Sequence, residues 1–146
     1  MSDQPVEVLY VEDNPHDVEM TMRALRKHNF VNRVLHVPDG EAALDYLFAR
    51  GQWTGRDVED VPRAVFLDLK LPKVDGIEVL RAIKSDPRLH EVPVVIITSS
   101  AEERDRVETY RLGVNSYIVK PIVFESFART IAEVGYYWVA INRCAR

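Results

Sequence analysis

Short β-forming runs alternate with helical stretches along the whole chain, and this alternation limits the possible folds more than any other property. Val6-Glu7-Val8-Leu9-Tyr10-Val11 is rich in β-branched residues and reads as a first strand. Asn14 can cap the helix that follows, Pro15 suits its first position, and Val18, Met22 and Leu25 share one face. Arg33 to Val37 is a second, more polar strand, expected at an edge. Asp39 can cap a second helix that turns Ala43, Leu44, Leu47 and Phe48 inward. Residues 51–63 form a polar loop, long for an α-to-β connection, so it is either a local insertion or a mobile element. The third strand is Ala64 to Leu69. A helix from Gly76 to Ser85 follows, with Ile77, Leu80 and Ile83 inward and Pro87 closing it. Val92 to Ile97 is the most apolar run and belongs at or near the centre of a sheet. Ser100-Ala101-Glu102-Glu103 is a capping box that opens a highly charged helix ending at Gly113. Ser116 to Val119 is the fifth strand, and a long last helix runs from about Val123 toward Arg143.

Five β–α units in strict alternation imply a parallel sheet covered by helices on both faces. The expected architecture is a flavodoxin-like (βα)5 doubly wound sheet of strand order 2-1-3-4-5, with an extended C-terminal helix. Strands 1 and 3 are then neighbours where the strand order reverses, and ligands bind such sheets beyond the carboxyl ends of the strands at that point. A chain of 146 residues suits one domain, here 1–146 with a core of about 5–135 and an extension over 136–146. The net charge of −4 gives nucleic acid no general electrostatic attraction. No apolar run approaches the length of a membrane span, and no signal-peptide pattern opens the chain, so a cytoplasmic protein without membrane contact is expected. Cys144 is the only cysteine, which leaves no internal disulfide.

Asp68 stands out against this frame. It closes the apolar run Ala64-Val65-Phe66-Leu67, where a charge is costly unless something compensates it. The other strand ends carry groups that can. Strand 1 ends in Glu12-Asp13, strand 4 in Thr98-Ser99 and strand 5 in Lys120-Pro121, and the expected order turns all of them toward one crevice. Three carboxylates together repel one another, and a divalent cation removes the conflict. All-oxygen ligation by a few carboxylates suits Mg²⁺ (or Mn²⁺), which often shares a phosphate with the protein. Lys120 adds a positive charge and Thr98 a hydroxyl donor, a set matched to a phosphoryl group, with Asp68 as the nucleophile. Taken singly each group has an ordinary role: Glu12-Asp13 as helix N-terminal acids, Thr98 near a cap, Lys120 as a loop lysine and Asp68 in a turn. Their joint occurrence at four strand ends is what carries the reading.

At these residues, together with Leu71-Pro72, Asp75-Gly76 and Tyr117, the chain resembles the receiver domain of two-component response regulators over about residues 5–135. The resemblance implies that Asp68 takes a phosphoryl group from a histidine kinase in a phosphorelay. It implies that Asp13 and Asp68 ligate the cation directly with the backbone carbonyl of Lys70, that Glu12 assists, and that Thr98 and Lys120 contact the phosphoryl group. It also implies a cis Lys120–Pro121 bond and an inward move of Tyr117 that follows Thr98 on phosphorylation, a bistable element biased by a local charge. The long loop before strand 3 and the lack of a following output module are similar to regulators paired with phytochrome-type photoreceptor kinases. Such a protein acts by protein contact and is not an enzyme in the usual sense.

Two rival classes fare worse. An aspartyl phosphatase would place a second Asp two residues after the nucleophile, where this chain has Lys70. A flavin-binding electron carrier would need a Ser/Thr/Gly-rich loop after strand 1, where Glu12-Asp13-Asn14-Pro15 would repel a phosphate. Intact Asp13, Asp68, Thr98 and Lys120 also weigh against a receiver-like adaptor that no longer turns over phosphate.

In the last helix Phe124, Phe127, Ile131, Val134, Trp138 and Ile141 recur at three- and four-residue spacing, a coiled-coil-like seam. A stretch of about 20 residues spans roughly 30 Å, more than a five-stranded domain needs. Tyr136, Tyr137, Trp138 and Ile141 then lie at or beyond its edge as interface anchors. A homodimer through strand 5, the last two helices and the C-terminal extension is expected; Gly135 could instead break the helix and fold the tail back as a cover. Lys70 adds a second cation near Asp68 that departs from common patterns. Lys70→Ala is expected to change the lifetime of the phosphorylated protein, read as the dephosphorylation rate; an unchanged rate refutes that role.

Overall fold

The computed structural model describes residues 6, 8–27, 33–98, 113–114 and 116–119. The strands are β1 (Val8–Val11), β2 (Val34–Val37), β3 (Ala64–Asp68), β4 (Val94–Thr98) and β5 (Ser116–Val119); the helices are α1 (Pro15–Lys27), α2 (Gly40–Leu47) and α3 (Gly76–Ser85). All strand pairs are parallel and the order is β2-β1-β3-β4-β5, as the alternation predicts. β4 starts two residues later than expected, because Pro93 has no N–H to give to a ladder; its carbonyl accepts from Val65 instead (2.9 Å). The charged helix expected after Ser100, the last helix and its seam lie outside the described residues. Gly113, expected to close that charged helix, has φ +71°, the conformation such a glycine adopts.

Side-chain alternation divides the core between the two sheet faces. Leu9, Val11, Val65, Leu67, Val94 and Ile96 face α2 and α3, which contribute Ala43, Tyr46, Leu47, Ile77, Leu80 and Ile83. Val8, Tyr10, Phe66, Val95 and Ile97 form the opposite face, where Val18 and Met22 of α1 pack. Each helix starts where its cap residue dictates. Asn14 Oδ1 accepts from the His16 and Asp17 amides (2.9 and 3.1 Å), Asp39 Oδ1 from Ala42 (2.7 Å) and Asp75 Oδ1 from Ile77 (3.0 Å). Among the described residues no helix is long and apolar enough to cross a membrane.

The polar loop 51–63 is tied down by two arginines. It opens with a 3-10 turn, Gly51–Trp53, and Trp53 meets Tyr46 edge-on at 5.6 Å. Arg56 lies 4.0 Å over the Tyr46 ring. Its Nε donates to the Tyr46 carbonyl (2.9 Å) and its Nη1 to those of Asp57 and Asp60 (2.7 and 2.8 Å). From beyond α3, Arg88 donates to the carbonyls of Leu47 (2.9 Å) and Val58. Tyr46 is buried although the expected inward face omitted it, because the loop covers that side of α2.

Two close approaches hold the segment after β3 in place. A Cβ on Gly40 would lie 2.0 Å from the Val74 carbonyl oxygen. One on Gly76 would lie 2.5 Å from both the Asp68 carbonyl oxygen and Leu69 Cα. Gly40→Ala is expected to destabilise the fold by about 1–3 kcal/mol, or more if backbone must move, measured by urea unfolding. Arg88→Ala leaves two carbonyls short of a donor, for an expected loss of about 1–3 kcal/mol in the same assay.

Candidate functional site

The site begins with strand register. β1 pairs with β3 so that Val11 lies opposite Leu67, and continuing that register by one residue sets Glu12 beside Asp68. Both follow apolar residues of the α1-side face, Tyr10 and Phe66, and both are buried: Glu12 at 0% exposure and Asp68 at 4%. Asp13 is exposed at the mouth. One carboxylate oxygen from each of Glu12, Asp13 and Asp68 lies within 4.8 Å of the others.

Hydrogen bonds hold Glu12 and Asp68 from several sides. Glu12 Oε2 accepts from the Asn14 amide (3.3 Å), so the turn that caps α1 also orients the Glu12 carboxylate. The Glu12 main chain is held by β2: its N–H donates to the Val37 carbonyl (3.1 Å), and its carbonyl oxygen lies 2.7 Å from His36 Nε2. Asp68 Oδ1 accepts from the Lys70 amide (3.0 Å), which sets the plane of that carboxylate as the chain leaves β3. Beyond it, the Gly76 amide donates to the Leu69 carbonyl (3.1 Å). Lys73 has φ +68°, and the Val74 amide bonds to the Pro72 carbonyl (2.9 Å), a rare γ-turn in which a lysine tolerates the left-handed region. Its ammonium reaches Asp39 Oδ2 (3.7 Å), tying the segment after Asp68 to the cap of α2.

Beneath the acids, Tyr10 is fully buried and its phenol donates to Thr21 Oγ1 (3.0 Å). Burial pushes its pKa well above the ordinary phenol value, the Thr21 hydrogen bond opposes this, and the negative charges of Glu12, Asp17 and Asp68 reinforce it. Tyr10 therefore stays neutral and gives the acids an uncharged floor.

Three converging carboxylates, two of them in a buried corner, fit a divalent cation: the donors are all hard oxygens, and bound charge relieves their repulsion. The structure thus brings together Glu12, Asp13 and Asp68, with the Lys70 backbone alongside. Thr98 ends β4, whose Ile97 pairs with Asp68. Its side chain, Lys120 and the Tyr136, Tyr137, Trp138 and Ile141 surface lie outside the described residues. Tyr117 is half-buried on β5, opposite Ile96 and packed on the α2–α3 side of the core. Sequence reasoning did not single out His36, Lys73 or the close contact of Gly76 with the Asp68 carbonyl. A histidine inside the otherwise apolar run Val34-Leu35-His36-Val37 was the one available signal among them.

Comparison with known proteins agrees with this geometry. The model of the response regulator receiver domain matches residues 8–132. A probable methanogenesis regulatory protein, FilR2 of Methanothrix harundinacea (strain 6Ac), is 44% identical over 97% of this chain and 89% of its own. Response regulator Rcp1 of Synechocystis sp. (strain ATCC 27184 / PCC 6803 / Kazusa) is 32% identical over 94% of this chain and 92% of its own. Its Mn²⁺-bound structure superposes with a TM-score of 0.77, covering 92% of this chain and 94% of that one. The bacteriophytochrome response regulator AtBRR shares 47% identity with a TM-score of 0.78, covering 92% of this chain and 96% of that one. Sheet order, acidic corner and a match over most of its length together make this chain a member of the response regulator receiver domain family, signalling proteins that are phosphorylated on an aspartate in a Mg²⁺-dependent way.

Proposed function

We propose that Asp68 is the phosphoacceptor, that the cation held beside it is Mg²⁺, and that the donor is a histidine kinase of the phytochrome type. The observation that carries the reading is the convergence of Glu12, Asp13 and Asp68 at the paired ends of β1 and β3. Asp68 is the acid of the three that stands on the central strand with its carboxylate plane set by the Lys70 amide. A carboxylate oxygen of Asp68 forms the O–P bond as the P–N bond of a phosphohistidine breaks, and the electron pair stays with the imidazole. Asp13 and Asp68, with the Lys70 carbonyl and support from Glu12, would hold the cation, which neutralises charge on the phosphoryl oxygens when bound. Thr98 and Lys120 serve the other side of the group. Tyr117 carries the change of state toward a dimer surface formed by β5, the last two helices and Tyr136, Tyr137, Trp138 and Ile141. The output is a protein contact, not turnover of a substrate.

Similarity to AtBRR and Rcp1 supports the phytochrome-type partner, and the Mn²⁺-bound state of Rcp1 supports a divalent ion at the acids. The test compares wild type with Asp68→Asn, given either a phosphorylated phytochrome-type kinase or acetyl phosphate with Mg²⁺. Label is expected on wild type alone, with loss on addition of EDTA and a change in tyrosine and tryptophan fluorescence and in oligomer mass. Labelling of Asp68→Asn refutes the acceptor, and transfer from acetyl phosphate but not from the kinase refutes the partner.

A further inference from the structure

We infer that His36 is a positioning residue for the metal-binding acids, holding the Glu12–Asp13 peptide in the plane that aims both carboxylates at the cation. The inference rests on the metal site proposed above and adds to it a residue from a different strand. His36 Nε2 lies 2.7 Å from the Glu12 carbonyl oxygen. A carbonyl only accepts, so Nε2 carries the proton and the ring is the donor. The contact falls where the β1–β2 ladder ends. Glu12 N–H still finds the Val37 carbonyl (3.1 Å), but β2 then turns through Pro38 into the cap of α2 at Asp39. The His36 ring takes over as donor at that point.

The atom it holds matters. The Glu12 carbonyl belongs to the planar peptide that joins Glu12 to Asp13, so fixing its oxygen fixes the direction in which Asp13 leaves β1. The two bonds from β2 therefore grip this junction from both ends of Glu12. The grip works against the mutual repulsion of three carboxylates whose oxygens come within 4.8 Å, a force that would otherwise open the turn. The ring itself is held in place: His36 sits opposite Tyr10 in register, with ring centroids 5.6 Å apart and planes tilted by 51°. Tyr10 in turn is anchored to Thr21 of α1 (3.0 Å). A line of contacts thus runs from α1 through two rings to the peptide between the acids.

The test measures Mn²⁺ affinity by calorimetry for wild type, Asp13→Asn, His36→Phe and His36→Gln, with circular dichroism to check folding. Phenylalanine keeps the ring against Tyr10 and removes the donor; glutamine restores an N–H at similar reach. His36→Phe is expected to bind Mn²⁺ roughly ten-fold or more weakly, and His36→Gln to recover most of the loss, as hydrogen-bonding partners of metal ligands generally behave. Wild-type affinity in His36→Phe beside a weakened Asp13→Asn overturns the inference and leaves the metal site standing. Equal weakening in His36→Phe and His36→Gln overturns it as well, since packing and not the donor would then be at work. Unchanged binding in Asp13→Asn overturns the metal site and this inference together. Should His36→Phe fail to fold, the ring nitrogen and N–H proton NMR signals of the wild type at about pH 8, where a free imidazole is neutral, decide the matter. An Nε2–H proton that is shifted downfield and slow to exchange, as a hydrogen-bonded N–H is, supports the inference; an Nδ1-protonated ring, or an Nε2–H that exchanges like that of a free imidazole, overturns it.

Discussion

Parallel pairing of β1 with β3 drives two acids into one buried corner, and the surrounding structure is organised around their repulsion. The chain cannot relieve it by sliding one strand, because a one-residue slip would turn every core side chain of that strand to the wrong face. The sheet core, with Leu9, Val11, Val65 and Leu67 fully buried, therefore locks Glu12 against Asp68 as firmly as it locks itself. Hydrophobic burial supplies the force that holds like charges together, and the backbone amides of Asn14 and Lys70 direct where those charges point. A corner of this kind fits a divalent cation, because the work of assembling the negative charge is done when the sheet folds.

Much of this was legible in the residues because it depends on local chemistry. The caps Asn14 and Asp39 announce the starts of two helices, and the alternation of short strands with helices sets the sheet order. Once the order is known, the acids at the ends of strands 1 and 3 must meet. What could not be read are the contacts between distant segments. His36 and Glu12 are 24 residues apart, and no periodicity marks a ring donating to a carbonyl. Arg88 reaches Leu47 across 41 residues. Tyr46 lay off the expected inward face of α2, because its cover comes from the loop 51–63 and not from the sheet. The left-handed Lys73 is invisible for another reason: lysine carries no preference for that conformation, and tertiary contacts with Asp39 and the close fit of Val74 against Gly40 impose it.

The segment from Leu69 to Asp75 joins these observations. It leaves Asp68, touches the cap of α2 through Lys73 and Val74, and delivers the chain to α3 through Gly76, whose missing side chain lets the helix start against the Asp68 carbonyl. The phosphoacceptor candidate is thus framed on both sides by helix starts, α1 through Asn14 and α3 through Asp75 and Gly76. The acids are thus bounded by elements on both sheet faces, and Tyr117 stands half-buried on β5, two strands from Asp68.

The loop between α2 and β3 has a consequence for how such chains diverge. The hydrogen bonds by which Arg56 and Arg88 hold it all go to main-chain oxygens, those of Tyr46, Leu47, Asp57, Val58 and Asp60. Such a clamp constrains Val58 and Asp60 through the path of the backbone, while Asp57 also acts through its side chain, whose Oδ1 accepts from the Glu59 amide (3.0 Å). The exposed side chains of Glu59 and Asp60 take no part in the arginine bonds, so changing them alters the surface shown at this end of the sheet and leaves the clamp beneath in place.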